Sequence, residues 1–419
     1  MSFRIAIALT MMLAAIAPAA AQLDGNFDEA KVPSYVLPDP LETSDGAAVK
    51  SVQQWEGERR PELLGLFRDT IYGAAPPPPH DMRFVVTDRD DRALGGLAIR
   101  KQVTILLDGT ERGPQTSVLI YLPARAKGPA PVFVGLNFHG NQAVAADPAI
   151  AIATSWVAAP GEGIVKHHAT ARSRGIESAQ WPLRQILEAG YGVATYFPGD
   201  LYPDGDGMVA QSVQPHYGTS PSDPSHWGAI ATWAWGLSRV YDYLATDAAV
   251  DASRVIVIGH SRYGKAALWA GARDPRFAMV VSNDSGNGGA ALYRRRFGET
   301  IRVMNDYWFA PRFKTYARHE DALPIDAHEL IALIAPRPVY VASATGDLWS
   351  DPKGEFLAAR GADPVYHLYG MKGLEADAMP APDRSVGRRI GYHIRAGKHD
   401  ITAEDWAKYI AFADRELAR

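Results

Sequence analysis

A serine hydroxyl is a poor nucleophile until a base takes its proton, so the informative residues are a Ser at a tight turn, a His and a carboxylate. Val255-Ile256-Val257-Ile258 reads as a strand, Gly259-His260-Ser261-Arg262-Tyr263-Gly264-Lys265 follows, and Ala266-Ala267-Leu268-Trp269-Ala270 begins a helix. A Ser at such a junction exposes its hydroxyl at the C-terminal edge of a sheet. The N–H groups of the helix N-terminus lie beside it, ready to bind a developing oxyanion. The usual elbow string is G-x-S-x-G; here Tyr263 takes the second Gly position and Gly264 follows it. The plainer reading of that segment alone is a Ser that caps a helix.

For the base, His399 lies in the Gly-flanked loop from Gly391 to Asp400, just before a C-terminal helix over Thr402 to Leu417. Its rival His393 sits in a Tyr-His-Ile setting that reads as strand. Two acids qualify. Asp347 follows the strand Val339 to Ala344 through Thr345-Gly346, and Asp284 ends the strand Ala278 to Ser282. Either carboxylate, or both, would orient the imidazole, and either alone also reads as an Asx-turn cap.

These groups meet only if the chain brings its strands to one edge. The prolines Pro76 to Pro79 form a loop, and β-rich runs follow over Arg83 to Thr87, Arg100 to Leu107 and Ser117 to Leu122. From Pro131 onward come compact apolar runs: Val132 to Leu136, Gly192 to Tyr196, Val255 to Ile258, Ala278 to Ser282 and Val339 to Ala344. Each is the signature of a parallel strand covered on both faces. Helical stretches over Ile230 to Leu244, Lys265 to Ala272 and Ala327 to Ile334 lie between them. The alternation predicts an α/β fold, a three-layer α/β/α sandwich with a mostly parallel central sheet. The chain order Ser, acid, His is that of the α/β-hydrolases.

The 419 residues are 47% hydrophobic and 21% charged, with 43 Lys and Arg against 47 Asp and Glu and no Cys. That balance excludes a disordered chain and offers no general field for gripping nucleic acid. Without Cys there is no disulfide, no thiolate zinc site and no thiol nucleophile. Arg4, the apolar run Ile5 to Ala17 and Ala19-Ala20-Ala21 read as an export signal over residues 1–21, with the mature chain starting near Gln22. The expectation is one catalytic domain over 22–419, periplasmic or secreted, monomeric, with no membrane span after signal cleavage and no nucleic-acid partner. No metal and no cofactor is expected either. Asp204-Gly205-Asp206-Gly207 has too few ligands for a calcium loop and reads as a turn, and His167-His168 lacks a third zinc ligand. Trp227, Trp233 and Trp235 read as core packing, and Arg294-Arg295-Arg296 as a solvated or structural run.

Several spaced motifs agree in order with one known family. They are Trp227-Gly228-Ala229 through Gly236-Leu237-Ser238-Arg239, the segment Gly259 to Lys265, and Ser282-Asn283-Asp284-Ser285-Gly286. Further on come Phe297-Gly298-Glu299-Thr300, Asp347-Leu348-Trp349-Ser350-Asp351-Pro352, and the Gly391 to Asp400 loop. Together, from about Trp55 to the end, they resemble the glucuronoyl esterases of carbohydrate esterase family 15, the 4-O-methyl-glucuronoyl methylesterases, and bacterial members most. The family's G-C-S-R-x-G-K motif carries His260 here in place of its Cys, and the disulfides of fungal members are impossible. Fungal members place their acid at the Asp284 position, while many bacterial relatives also carry one at the Asp347 position, so both acids stay open.

The resemblance implies hydrolysis of the ester between the C6 carboxyl of glucuronic acid on xylan and a lignin-type alcohol. Its substrate would be glucuronoxylan or a lignin–carbohydrate ester, met during lignocellulose degradation. It implies Ser261 as nucleophile, His399 as base, Asp347 or Asp284 as its acid, and Arg262 at the oxyanion. It also implies sugar contacts from Lys265, Glu299 and Trp349. Two other readings use the same residues: an acetyl xylan or feruloyl esterase, and a glycan-binding protein that has kept the fold without the catalysis.

Overall fold

Along Val255-Ile256-Val257-Ile258 alternate side chains enter two different cores: Val255 and Val257 one, Ile256 and Ile258 the other. All four are no more than 2% exposed. A strand with both faces buried must lie inside a sheet covered by helices on each side, and each such side chain adds about 1.5–3 kcal/mol of burial. The computed structural model describes residues 25–218, 220 and 222–417. The export signal expected over 1–21 lies outside them.

The strands are β1 (Arg83–Arg92), β2 (Ala98–Leu106), β3 (Gln115–Pro123), β4 (Ala130–Leu136), the short hairpin β5 (Ile164–Val165) and β6 (His168–Ala169), and β7 (Gly192–Tyr196). They continue with β8 (Val250–His260), β9 (Met279–Asn283), β10 (Val339–Ala344), β11 (Val386–Gly387) and β12 (Ile390–Arg395). Ten of them form one sheet in the order β1-β2-β3-β7-β4-β8-β9-β10-β12-β11. The run from β7 to β12 is parallel, and β1, β2, β3 and β11 are antiparallel additions at the edges.

One face is covered by α1 (Arg60–Phe67), α3 (Ala229–Leu244), α4 (Arg262–Arg273), α5 (Ala327–Ala332) and α6 (Pro352–Gly361). The other is covered by α2 (Leu183–Glu188) and α7 (Ala403–Glu416). The three-layer sandwich expected from the alternation is therefore present. Trp227, Trp233 and Trp235 are buried in the core under α3. The arginine run is structural: Arg294 pairs with Asp326, Arg295 with Asp351 and Glu29, and Arg296 with Glu320.

Four neighbouring parallel strands decide the function. β8, β9, β10 and β12 all finish at the same sheet edge, and the chain leaves them toward Ser261, Asp284, Asp347 and His399 respectively. Strands lie about 4.8 Å apart, so a group above β12 begins about 14 Å from one above β8. The His399 loop closes that gap by folding back over β10. Thr345 N–H donates to the Arg395 carbonyl (2.9 Å), and Gly346 N–H to that of Gly397 (2.7 Å).

The foot of this loop is pinned by a buried carboxylate. Asp405 in α7 bonds His393 Nε2 (2.8 Å), Arg395 Nε (3.0 Å) and the Thr402 N–H (2.7 Å). His393, the rival imidazole, is thus a buried strand residue occupied with structure. Asp405→Ala leaves Arg395 buried without its carboxylate, and the expected loss is about 3–5 kcal/mol of stability, read from the denaturant midpoint. An unchanged midpoint would show that the pair does not hold α7 to β12.

Candidate active site

Ser261 has φ 58° and ψ −134°, a backbone conformation that costs a non-glycine residue about 1–3 kcal/mol. The neighbouring glycines make the turn possible. A Cβ on Gly259 would lie 1.9 Å from the Tyr263 carbonyl oxygen, and one on Gly264 would lie 2.9 Å from Ser285 Cβ. Ser261 N–H donates to the Asn283 carbonyl (2.9 Å), tying the elbow to the end of β9. Tyr263 fits where a Gly was expected because its ring turns into the core, against Phe138 (4.5 Å) and Trp233 (5.2 Å). α4 begins at Arg262, whose N–H has no acceptor within the helix.

His399 Nδ1 lies 2.6 Å from Asp347 Oδ2. That bond fixes the tautomer and leaves Nε2 for a hydroxyl proton. The imidazole centroid is 4.5 Å from that of His260, the residue before Ser261, so the loop has carried His399 back to the elbow. Burial works to raise the Asp347 pKa, but the hydrogen bond and charge of His399, helped by Ser350, hold it below the usual carboxylate range.

Asp284 behaves differently. It is 1% exposed, and burial with the nearby Glu355 and Asp347 pushes its carboxyl well above the ordinary range. Its Oδ2 accepts from the Asp400 N–H (3.4 Å), next to the imidazole residue. Ligand atoms of Asp284, Asp347 and His399 lie within 4.8 Å of one another, the one grouping among the described residues spaced to admit a cation. In this arrangement Asp347 and His399 are bonded to each other, which suits proton transfer better than metal ligation. Beneath them Glu355 accepts from Ser343 Oγ (2.6 Å) and the Gly286 N–H (2.9 Å), and burial pushes it up to about 8.

Beside the elbow, Arg262 Nε lies 2.5 Å from Asp204 Oδ2. Lys265 is 2% exposed, and its ammonium donates to the carbonyls of Ser285 (2.8 Å) and Asn287 (2.5 Å) and to Glu299 Oε2 (2.5 Å). All three protons are spoken for, so a sugar contact from Lys265 comes only at the expense of one of these bonds. Glu299 N–H donates to the Trp349 carbonyl (2.7 Å). The half-buried Trp349 ring packs on Phe27, 6.3 Å away. Lys265, Glu299 and Trp349 therefore adjoin one another and form one wall.

A family model described as "Glucuronyl esterase, fungi" matches residues 209–370. A carbohydrate esterase from an unknown prokaryotic organism is 50% identical over 401 residues, covering 94% of this chain and 92% of that protein. The chain belongs to the glucuronoyl esterases, carbohydrate esterase family 15. Among solved structures, a promiscuous family-15 esterase from a marine bacterial metagenome superposes with a TM-score of 0.88 at 49% identity, covering 94% of this chain and 100% of that one. The glucuronoyl esterase from Solibacter usitatus gives a TM-score of 0.88 at 44% identity, covering 93% and 100%.

In this glucuronoyl esterase the position before Ser261 holds a neutral ring. His260 is bonded through Nδ1 to Asn283 Oδ1 (2.8 Å), and burial together with the neighbouring His399 lowers its pKa to about 3. Sequence reasoning missed three contributors. Asp204 lies in the segment read as a mere turn, and nothing in its local pattern points toward Arg262. Phe138 follows β4 and lays its ring 4.9 Å from the Arg262 guanidinium carbon. Glu355 sits in a helix whose spacing gives no hint that it faces inward.

Asp347→Asn is expected to lower kcat by about 10²–10⁴-fold on a glucuronate ester, since the amide no longer stabilises the imidazolium. Asp284→Asn keeps the shape and an acceptor for the Asp400 N–H, and is expected to cost less than about tenfold. The reverse ranking in steady-state kinetics would assign the acid role to Asp284.

Proposed function

We propose that the protein is a serine esterase that cleaves the ester between the C6 carboxyl of a glucuronic or 4-O-methyl-glucuronic acid carried on xylan and a lignin-type alcohol. The observation that carries this reading is the 2.6 Å bond between His399 Nδ1 and Asp347 Oδ2, held at the elbow that exposes Ser261. Family membership supplies the substrate class, and the wall of Glu299 and Trp349 offers an acceptor and an indole to a sugar.

Ser261 Oγ attacks the C6 carbonyl carbon as His399 Nε2 takes its proton, giving a tetrahedral oxyanion next to the Arg262 N–H and guanidinium. Collapse breaks the bond to the alkoxy oxygen, which leaves with the proton from His399, and the acyl group stays on Ser261. Water then repeats the sequence: His399 takes its proton, the hydroxide adds to the acyl carbon, and Ser261 regains its proton as the uronic acid leaves. The ionised Asp347 stabilises the imidazolium at both stages. An ester carries no charge, so recognition needs no free cation, which suits a Lys265 already neutralised by Glu299.

The protein is further proposed to act as an exported monomer, without a resident cofactor or metal. Among the described residues no helix is long and apolar enough to cross a membrane.

With a benzyl or methyl glucuronate ester as substrate, Ser261→Ala is expected to reduce turnover by at least about 10³-fold. The unaltered protein should favour that ester over acetylated xylan in kcat/KM. Turnover that survives in Ser261→Ala removes Ser261 as nucleophile, and a preference for acetyl esters replaces the glucuronate reading with that of an acetyl xylan esterase.

A further inference from the structure

An oxyanion site on a sheet of this kind commonly has two main-chain donors, one after the nucleophile and one from the loop that follows the neighbouring strand. Here the neighbouring strand is β4, and its loop runs Asn137-Phe138-His139-Gly140. Three of those N–H groups already have protein acceptors, Asn137 N–H donating to the Tyr196 carbonyl (3.4 Å). Phe138 N–H donates to Glu177 Oε1 (2.9 Å) and Gly140 N–H to Asn137 Oδ1 (2.9 Å). A larger share of the charge therefore falls to the Arg262 side chain, which is useful only if it is held in one place. A long, flexible cation that wanders reorganises at the moment of reaction and loses most of its value.

We propose that Asp204 is the positioning residue for Arg262, fixing the guanidinium through Nε so that its two terminal nitrogens stay directed at the reacting carbonyl. This rests on the serine-esterase reading above. Asp204 is itself immobilised: while Oδ2 meets Arg262 Nε at 2.5 Å, Oδ1 accepts from Tyr307 OH (2.9 Å) and Trp308 Nε1 (2.8 Å). The Asp204 side chain is 9% exposed, so solvent screens the pair little. The guanidinium carbon lies 4.9 Å from the centroid of the Phe138 ring and 5.2 Å from that of Tyr263, which restrict it further. Trp308 also lies against Lys265, whose ammonium is 5.7 Å from the ring centroid. Through Trp308, Asp204 links the oxyanion side of the site to the wall formed by Lys265 and Glu299.

Asp204→Asn keeps an oxygen for Tyr307 and Trp308 and removes the charge that holds Arg262. With a methyl or benzyl glucuronate ester, kcat is expected to fall by at least about tenfold, with KM within about twofold of the parent. In an Arg262→Ala background the same substitution is expected to change kcat by less than about twofold, because the group it positions is gone. The same cycle with Asp204→Glu, which displaces the charge by one methylene, covers the case in which the amide variant does not fold. Equal losses in the two backgrounds, or a single variant with parental kcat, would overturn the positioning role. Ser261→Ala, assayed alongside, separates the two levels: activity retained there sinks the esterase reading itself, whereas additive losses at 204 and 262 sink only the role of Asp204.

Discussion

Ser261 occupies a backbone conformation that an L-residue avoids, and the rest of the site is arranged around keeping it there. The strain is tolerable because β8 and α4 are both locked into the core on either side of it. Gly259 and Gly264 remove the side chains that would otherwise collide, and the elbow N–H is bonded to the end of β9. The result is a hydroxyl lifted off the sheet edge at the start of a helix whose first N–H groups are unsatisfied. A candidate nucleophile and a candidate oxyanion donor thus come from the same turn.

The other candidate groups reach that turn by topology rather than by sequence proximity. Asp284 and Asp347 end strands that directly follow β8 in the sheet, so they arrive at the rim with little help from loops. His399 starts from one strand further out and depends on its loop folding inward, secured below by Asp405 and above by Asp347 and Asp284. The two acids divide along electrostatic lines. The one bonded to the imidazole is held below the usual carboxylate range, whereas burial, Glu355 and Asp347 push its neighbour well above it. Asp284 accepts the Asp400 N–H, which makes it a brace for the loop that carries His399.

Much of this was legible in the amino-acid string. The buried strands announce themselves because compact, continuous apolar runs with β-branched residues have few other uses, and Gly-His-Ser-Arg-Tyr-Gly marks where a strand turns sharply into a helix. The order of nucleophile, acids and imidazole also survives translation into structure. Which acid bonds His399 was not legible, because it depends on how far a loop folds back over β10. Nor was Asp204: its turn residues are generic, and its partner Arg262 lies far along the chain. The sequence suggested that Lys265 faces the sugar. Three buried acceptors take its protons, a saturation that only packing reveals.

The central claim is that Ser261 is made nucleophilic by an imidazole that Asp347 holds in place. Covalent labelling tests it most directly: the protein is treated with a serine-directed fluorophosphonate, and the modified peptide is mapped by mass spectrometry. The account predicts a single adduct on Ser261, with the labelling rate falling by orders of magnitude in His399→Ala. An adduct on another residue, or labelling that proceeds equally fast without the imidazole, would contradict it.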